Sequence, residues 1–216
     1  MNINVRTRPA PSHIEIHPSV LYVGTPIVLM TTCNADGSAN ITPMSSAWAL
    51  SDRMVLGLQA AGQGAANVLR TRECVLNFPS AELWPQVENI AHTTGRDPVP
   101  NFKAAIGFVH CADKFALGNF TAQPSRCVMP PRIVECPLQM EAKLVAAHEL
   151  GQDVDAPAGP ALLSLEVRVL KVHALPSIVV PGTNHVDTAQ WHPLFYVFRH
   201  YFSVGPDLGK TFRAEI

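Results

Sequence analysis

The chain has 216 residues, of which 47% are hydrophobic and 15% charged, with a formal net charge of -1. That length and apolar content suit a sizeable core in one large domain over residues 1–216, a soluble globule whose partners are small molecules or other proteins. The balanced charge and the lack of a basic run interleaved with aromatics exclude nucleic acid or an anionic membrane as the main partner.

Residues 1–18, "MNINVRTRPAPSHIEIHP", carry three prolines and little periodicity, which predicts an extended N-terminal arm running over a surface. They lack the basic-then-apolar design of a secretory signal, and no uncharged apolar stretch approaches the roughly 20 residues of a membrane span, so the expected location is the cytoplasm. "TPIVLMTTC" is a short apolar run rich in strand formers, and "NADGSA" supplies a hairpin turn. "NITPMSSAWAL" returns as a second strand, "SDR" turns again, and "MVLGLQA" makes a third. Connections this short predict three antiparallel neighbours.

"GQGAAN", residues 62–67, begins like a dinucleotide fingerprint between a strand and a helix, and Glu82 falls about 20 positions on. A doubly wound fold is nevertheless rejected, because Asn67 replaces the third small residue and the flanking strands are joined by hairpins where crossovers are required. Two readings of Gly62 and Gly64 stand. Their free backbone amides at a helix start could hold an anion such as phosphate, or they only shape a tight strand-to-helix turn. "VLNFPS" returns to strand, and residues 81–92 read as a helix with Pro85 in its first turn. The breaker-rich stretch "TTGRDPVPNFKAAIGFVHCADKF" is a long excursion of the kind that forms lids or binding loops.

Farther on, Leu138, Met140, Ala142 and Leu144 alternate with Gln139, Glu141 and Lys143, and Leu163, Leu165, Val167 and Val169 alternate with Ser164, Glu166 and Arg168. Both segments read as half-buried strands. The polar connection "GQDVDAPAGPA" between them favours antiparallel pairing, and strands this numerous need closure to remove their edges, which predicts a β-barrel or strongly curled sheet with peripheral helices. The five cysteines, at 33, 74, 111, 127 and 136, form no zinc-like cluster and read as reduced thiols. No metal site is expected.

Taken in order, "PIVLMTTCNADGSANITPMSSAWAL", "MVLGLQAAGQGAANVLRTRECVLNFPS", "DKFALGNFTAQPS", "PPRIVECPLQMEAKL" and "HVDTAQWHPLFYVFRHYFSVG" resemble the flavin reductase-like family of FMN-binding split barrels, which includes flavoredoxins. The resemblance covers the chain from about residue 20 onward and implies a mainly β fold, a six-stranded Greek-key split β-barrel, assembled as a homodimer with FMN at the subunit interface. Redox chemistry would then belong to the flavin, with no catalytic side chain required. It further implies that Thr42, Pro43, Met44, Ser45, Ser46 and Trp48 face the flavin ring. Gln59, Ala61, Gly62, Gln63, Gly64 and Asn67 would wrap the ribityl chain and phosphate, and Asn77 would touch the ring edge.

Where the family usually has Ser or Thr, this chain has Gly62 and Gly64, so phosphate binding would lean on backbone amides, Gln63, Asn67 and an arginine such as Arg70. Lys114 and Phe115 could close over the flavin as a substrate-side cover. His185, Asp187 and His192 read as a structural turn, Cys33 as an inert thiol, and Trp191 with "FYVFRHYF" as core and dimer contact. Three functions follow from the resemblance. One is an NAD(P)H-dependent flavin reductase passing hydride to flavin N5, with NADH or NADPH as donor and an oxygenase or other acceptor as partner. The others are an electron carrier that retains its FMN, and a non-enzymatic flavin-binding protein.

Overall fold

The computed structural model describes residues 12–151 and 161–211. Residues 1–11 of the expected arm and 152–160 of the polar connection lie outside the described residues, while residues 12–18 are exposed without helix or strand.

In chain order the elements are β1 (Val23–Pro26), β2 (Val28–Cys33), β3 (Ala39–Met44), β4 (Ala47–Leu50), β5 (Arg53–Gln59), α1 (Gln63–Thr71) and β6 (Glu73–Phe78). A 3-10 turn (Ala81–Leu83) then leads into α2 (Trp84–Ala91), followed by β7 (Thr93–Thr94), α3 (Asn101–Ala104), β8 (Val109–His110), α4 (Lys114–Leu117), β9 (Ala122–Gln123) and β10 (Arg132–Ile133). Two long strands, β11 (Leu138–Leu150) and β12 (Leu162–Ala174), precede the C-terminal hairpin of β13 (Phe195–Val197) and β14 (His200–Phe202).

The main sheet has seven strands in the order β3-β2-β6-β11-β12-β5-β4. The six-stranded Greek-key barrel implied by the resemblance is not what the hydrogen-bond ladder forms. This sheet is open, and its two edge strands, β3 and β4, are consecutive in the chain with only Ser45 and Ser46 between them. The sheet must therefore curl until its edges meet at that dipeptide, a split barrel.

The expectation of three neighbouring antiparallel strands is corrected at the same place. "NITPMSSAWAL" is two strands, of which β3 pairs with β2 and β4 with β5, on opposite edges. The corner holds because Gly57 N donates to Ser46 O at 2.7 Å and Gly57 has no side chain, since a Cβ there would stand 2.8 Å from Ser46 Cβ. The hairpin between β2 and β3 forms at the expected residues, with Asn34 N donating to Ser38 O at 2.8 Å and Gly37 at a φ of 85°.

Apolar residues fill two layers. Inside the curl pack Val28, Met30, Met44, Leu56, Val68, Leu76, Leu165 and Val167. Outside β2 a second layer joins Leu29, Ile41, Val87, Ile90, Phe120, Ile133 and Leu194. Because β2 is covered on both faces, Val28, Leu29 and Met30 run apolar without alternation, and Thr31 and Thr32 after them are buried too.

β11 and β12 pair antiparallel, but at Gln139 and Glu141 the outer face of β11 is not solvated as its polar residues suggest, while Lys143 on that face is exposed. Gln139 and Glu141 are buried there under the segment that precedes the strand. Arg126 N and Cys127 N donate to the Glu141 carboxylate, His173 Nε2 lies 2.7 Å from it, and Gln139 Nε2 donates to Ile133 O. A small antiparallel sheet of β1, β13 and β14 lies apart from the main ladder. Among the described residues no helix is long and apolar enough to cross a membrane.

Candidate functional site

A cleft of about 550 Å3 opens between the β3–β4 corner, the start of α1, the α2 to α4 excursion and the C-terminal hairpin. Its size falls in the range of small-molecule sites, roughly 300–1,000 Å3. Thr42 through Ser46, Gln59, Gly62, Gln63, Gly64 and Lys114 all line it. Segments far apart in the chain are thus brought to one surface.

Helix α1 starts at the cleft without a side-chain cap. Its N-cap is Gly62, in extended conformation. Because the first intrahelical bond is Ala66 N to Gly62 O at 3.1 Å, the amides of Gln63, Gly64 and Ala65 precede the ladder at the cleft wall. Lys103 adds charge beside them. Its Nζ lies 4.0 Å from where a Cβ on Gly62 would stand and 5.3 Å from the Phe108 ring centroid, and burial lowers its pKa. An uncapped helix start with a half-buried ammonium at its side favours a bound anion.

The β3 wall is built to let that helix come close. A Cβ on Gly64 would stand 2.3 Å from Thr42 Oγ1 and 2.9 Å from Met30 Cε, so glycine is needed for close packing; its φ is not positive. Thr42 Oγ1 accepts from Asn40 Nδ2 at 3.1 Å. Ser46 Oγ donates to Tyr22 Oη at 3.2 Å, which ties the corner to β1 and the C-terminal hairpin. The two serines between β3 and β4 therefore mark where the sheet splits and a polar edge faces the cleft.

Lys114 is 3% exposed and donates from Nζ to Ile41 O at 2.9 Å and Thr93 O at 3.3 Å. An ammonium carries three donors, so one remains at the cleft wall. Burial, and then the neighbouring Lys103 charge, bring its pKa down to about 8. The lining has one carboxylate among the described residues, Glu88, which accepts from Tyr201 Oη at 2.9 Å, against Lys103, Lys114 and Arg199. The cleft is electropositive.

Several expected contacts lie elsewhere. Asn67 is 2% exposed and its Nδ2 donates to Thr32 Oγ1 at 3.0 Å and Asn34 Oδ1 at 2.8 Å, so it fastens α1 to the β2–β3 hairpin. Gln63 contributes backbone to the cleft while its side chain donates to Asn34 and Asn67. Asn77 is fully buried, donating to Leu29 O and accepting from Ile133 N, so it stitches β6 to β2 and β10. Trp48 is 56% exposed on β4 and does not line the cleft. Neither does Ala61, nor Phe115, which packs on the outer apolar layer. Arg70, in the last turn of α1, donates to Cys33 O away from the helix start.

His185, Asp187 and His192 form no metal cluster with one another, and Asp187 serves a turn by accepting from Ala189 N. The cleft also takes in Tyr22, Lys103 and Arg199, which no sequence motif points to, and Tyr196 and Tyr201, which pack on the outer apolar layer as the core reading of their run expects and line the cleft as well. Lys103 carried a signal, as a cation inside the long excursion. Tyr22 and Arg199 enter the cleft only because β1 and β13 pair across nearly the whole chain.

Comparison with known proteins agrees with this fold. The family described as "Flavin reductase like domain" matches residues 20–205. The uncharacterized protein YdfE of Bacillus subtilis (strain 168) is 40% identical over 202 residues, covering 93% of this chain and 94% of its own. Among solved structures, flavoredoxin of Desulfovibrio vulgaris (Miyazaki F) superposes with a TM-score of 0.72 at 19% identity, over 93% of this chain and 99% of that one. Nitrilotriacetate monooxygenase component B from Bacillus cereus gives 0.72 at 17% identity, over 93% and 100%. With the family match spanning most of its length, the chain belongs to the flavin reductase-like family and is a flavin-related oxidoreductase.

Proposed function

We propose that the protein is an FMN-binding, NAD(P)H-dependent flavin reductase acting as a cytoplasmic homodimer. The observation that carries this reading is the convergence of an uncapped helix start and Lys103 on one cleft with the polar Ser45–Ser46 corner. The donor set fits FMN. A phosphate monoester would take the Gln63, Gly64 and Ala65 amides and Lys103, and the heterocycle edge would take hydroxyls and backbone amides of Thr42 through Ser46.

When bound, the flavin supplies a hydride acceptor at N5 and passes the electrons on. The protein's work is to position and to neutralise. Lys114, fixed by two carbonyls, presents its third N–H and its charge to an electron-rich ligand. The apolar side of the cleft, with Ile27, Met44 and Val87, excludes water from the ring. No side chain is asked to serve as acid or base.

The missing hydroxyls at Gly62 and Gly64 favour exchange over retention of the flavin. Component B of nitrilotriacetate monooxygenase is by its name part of an oxygenase system, and a similar partner is our proposed acceptor of reduced flavin here. Anaerobic mixing of the FMN-loaded protein with NADH and with NADPH tests the reading. Flavin absorbance should bleach with at least one donor, and steady-state donor oxidation should rise with added free FMN. If neither donor reduces the bound flavin, the reductase reading fails; if turnover ignores free FMN, release of reduced flavin fails.

A further inference from the structure

The hairpin that carries Arg199 is built against ordinary turn preference. Phe198 and Arg199 join β13 to β14 with φ values of 43° and 70°. Two-residue hairpins with positive φ at both central positions favour Asn and Gly, because larger residues crowd their own backbone there. Such a conformation persists where its surroundings over-determine it. Here Phe198 N donates to Tyr22 O at 2.8 Å, β13 pairs with β1, and Tyr201 Oη donates to Glu88 on α2. The strained turn brings Arg199 to the cleft wall. Its guanidinium is exposed and makes no hydrogen bond or ion pair among the described residues. Beside it, Tyr22 and Tyr196 pack edge-on with ring centroids 5.4 Å apart, and Tyr196 and Tyr201 pack likewise at 6.0 Å.

Besides Lys114, which two backbone carbonyls hold, the cleft therefore has cationic points at two separate places. Lys103 stands by the start of α1, where one phosphate monoester would use it, and Arg199 stands on the C-terminal hairpin. A flavin reductase needs a second ligand that is itself planar and phosphorylated. We propose that the β13–β14 hairpin is the nucleotide arm of the cleft, with Arg199 holding a phosphate of the reducing dinucleotide and Tyr22, Tyr196 and Tyr201 walling its rings. This rests on the reductase reading above. Arginine suits the role because its planar, permanently charged fork meets phosphate oxygens in pairs. The phosphate could be the pyrophosphate common to both donors or the additional 2′-phosphate of NADPH.

Calorimetric titration of the FMN-loaded protein with NAD+ and with NADP+ tests this without turnover, alongside a separate FMN titration followed by fluorescence. Arg199→Gln should weaken at least one dinucleotide about tenfold or more, the scale of one charged hydrogen bond, and flatten the salt dependence of its binding. Arg199→Lys should recover part of the loss, and FMN affinity should stay within about twofold of wild type. Loss confined to NADP+ identifies the 2′-phosphate, and equal loss of both identifies the pyrophosphate. Unchanged affinity for both overturns the proposal, as does a parallel loss of FMN, which would make the hairpin a support for the whole cleft. Wild-type protein that fails to bind FMN would instead defeat the reductase reading itself.

Discussion

Gly64 shows how much can turn on one missing carbon. Alanine in its place would gain up to about 1 kcal/mol of helix propensity. Against that, its Cβ would stand 2.3 Å from Thr42 Oγ1, which Asn40 already engages. Overpacking of this kind costs roughly 1–3 kcal/mol, so Gly64→Ala should lower the stability measured by urea unfolding and weaken FMN as α1 is pushed off β3. Gly62→Ala, facing only Gln59 O at 3.1 Å and the Lys103 ammonium, should cost less. Equal losses would contradict the packing account. At Lys114 the folded pKa is about 8 against an ordinary 10.5. Between those values the unfolded chain binds more protons, so this residue's contribution to stability rises with pH and Lys114→Met should remove that rise. Comparing the pH slopes of the two proteins from 8 to 10.5 reads out Lys114 together with its charge coupling to Lys103 and Cys111. The glycines and hydroxyls that share the cleft stand out in the sequence as turn formers and as polar residues inside an apolar run. Asn67 and Asn77 make their bonds within the fold, which the sequence does not show, because a polar residue's type does not reveal whether its partner is a ligand or another part of the chain.

The segment preceding β11 illustrates the next scale. Glu141 is fully buried, and the amides of Arg126 and Cys127 together with His173 converge on its carboxylate. Burial by itself would raise its pKa, but these donors outweigh that and hold it below its ordinary 4.5. The stabilisation is therefore present above about pH 4.5 and is lost as pH falls through the folded value. Removing one partner of such a cluster costs about 3–5 kcal/mol. Glu141→Ala should lower stability by that order in urea unfolding and expose residues 124–131 to limited proteolysis. An unchanged cleavage pattern would mean the segment is held otherwise. Strand alternation was readable in β11 and β12 because the period-2 pattern is local. That a loop would bury the polar face was not, since the donors to Glu141 are backbone amides, which every sequence has.

Across the whole molecule, the break at Ser45–Ser46 decides the fold, and a single apolar run on each side of it reads as one strand. Only pairing with β2 on one edge and β5 on the other reveals the split. Trp48 and Leu50 on β4 are 56% and 68% exposed, and Val172 on β12, 54% exposed, lines a groove of about 300 Å3 with Met54, Met140 and Leu170. Apolar area of this kind is commonly covered by two-fold pairing. Light scattering should therefore give a dimer, and Trp48→Glu should shift it toward monomer; an unaltered mass would place the interface elsewhere. The central claim is that one cleft combines a ring edge at Thr42–Ser46 with a phosphate cradle at the start of α1, and comparative titration with FMN and riboflavin tests it most directly. The account predicts FMN tighter by about tenfold or more, the worth of charge-assisted bonds to phosphate, with Lys103→Ala removing most of the difference. Equal affinity for the two flavins would contradict it.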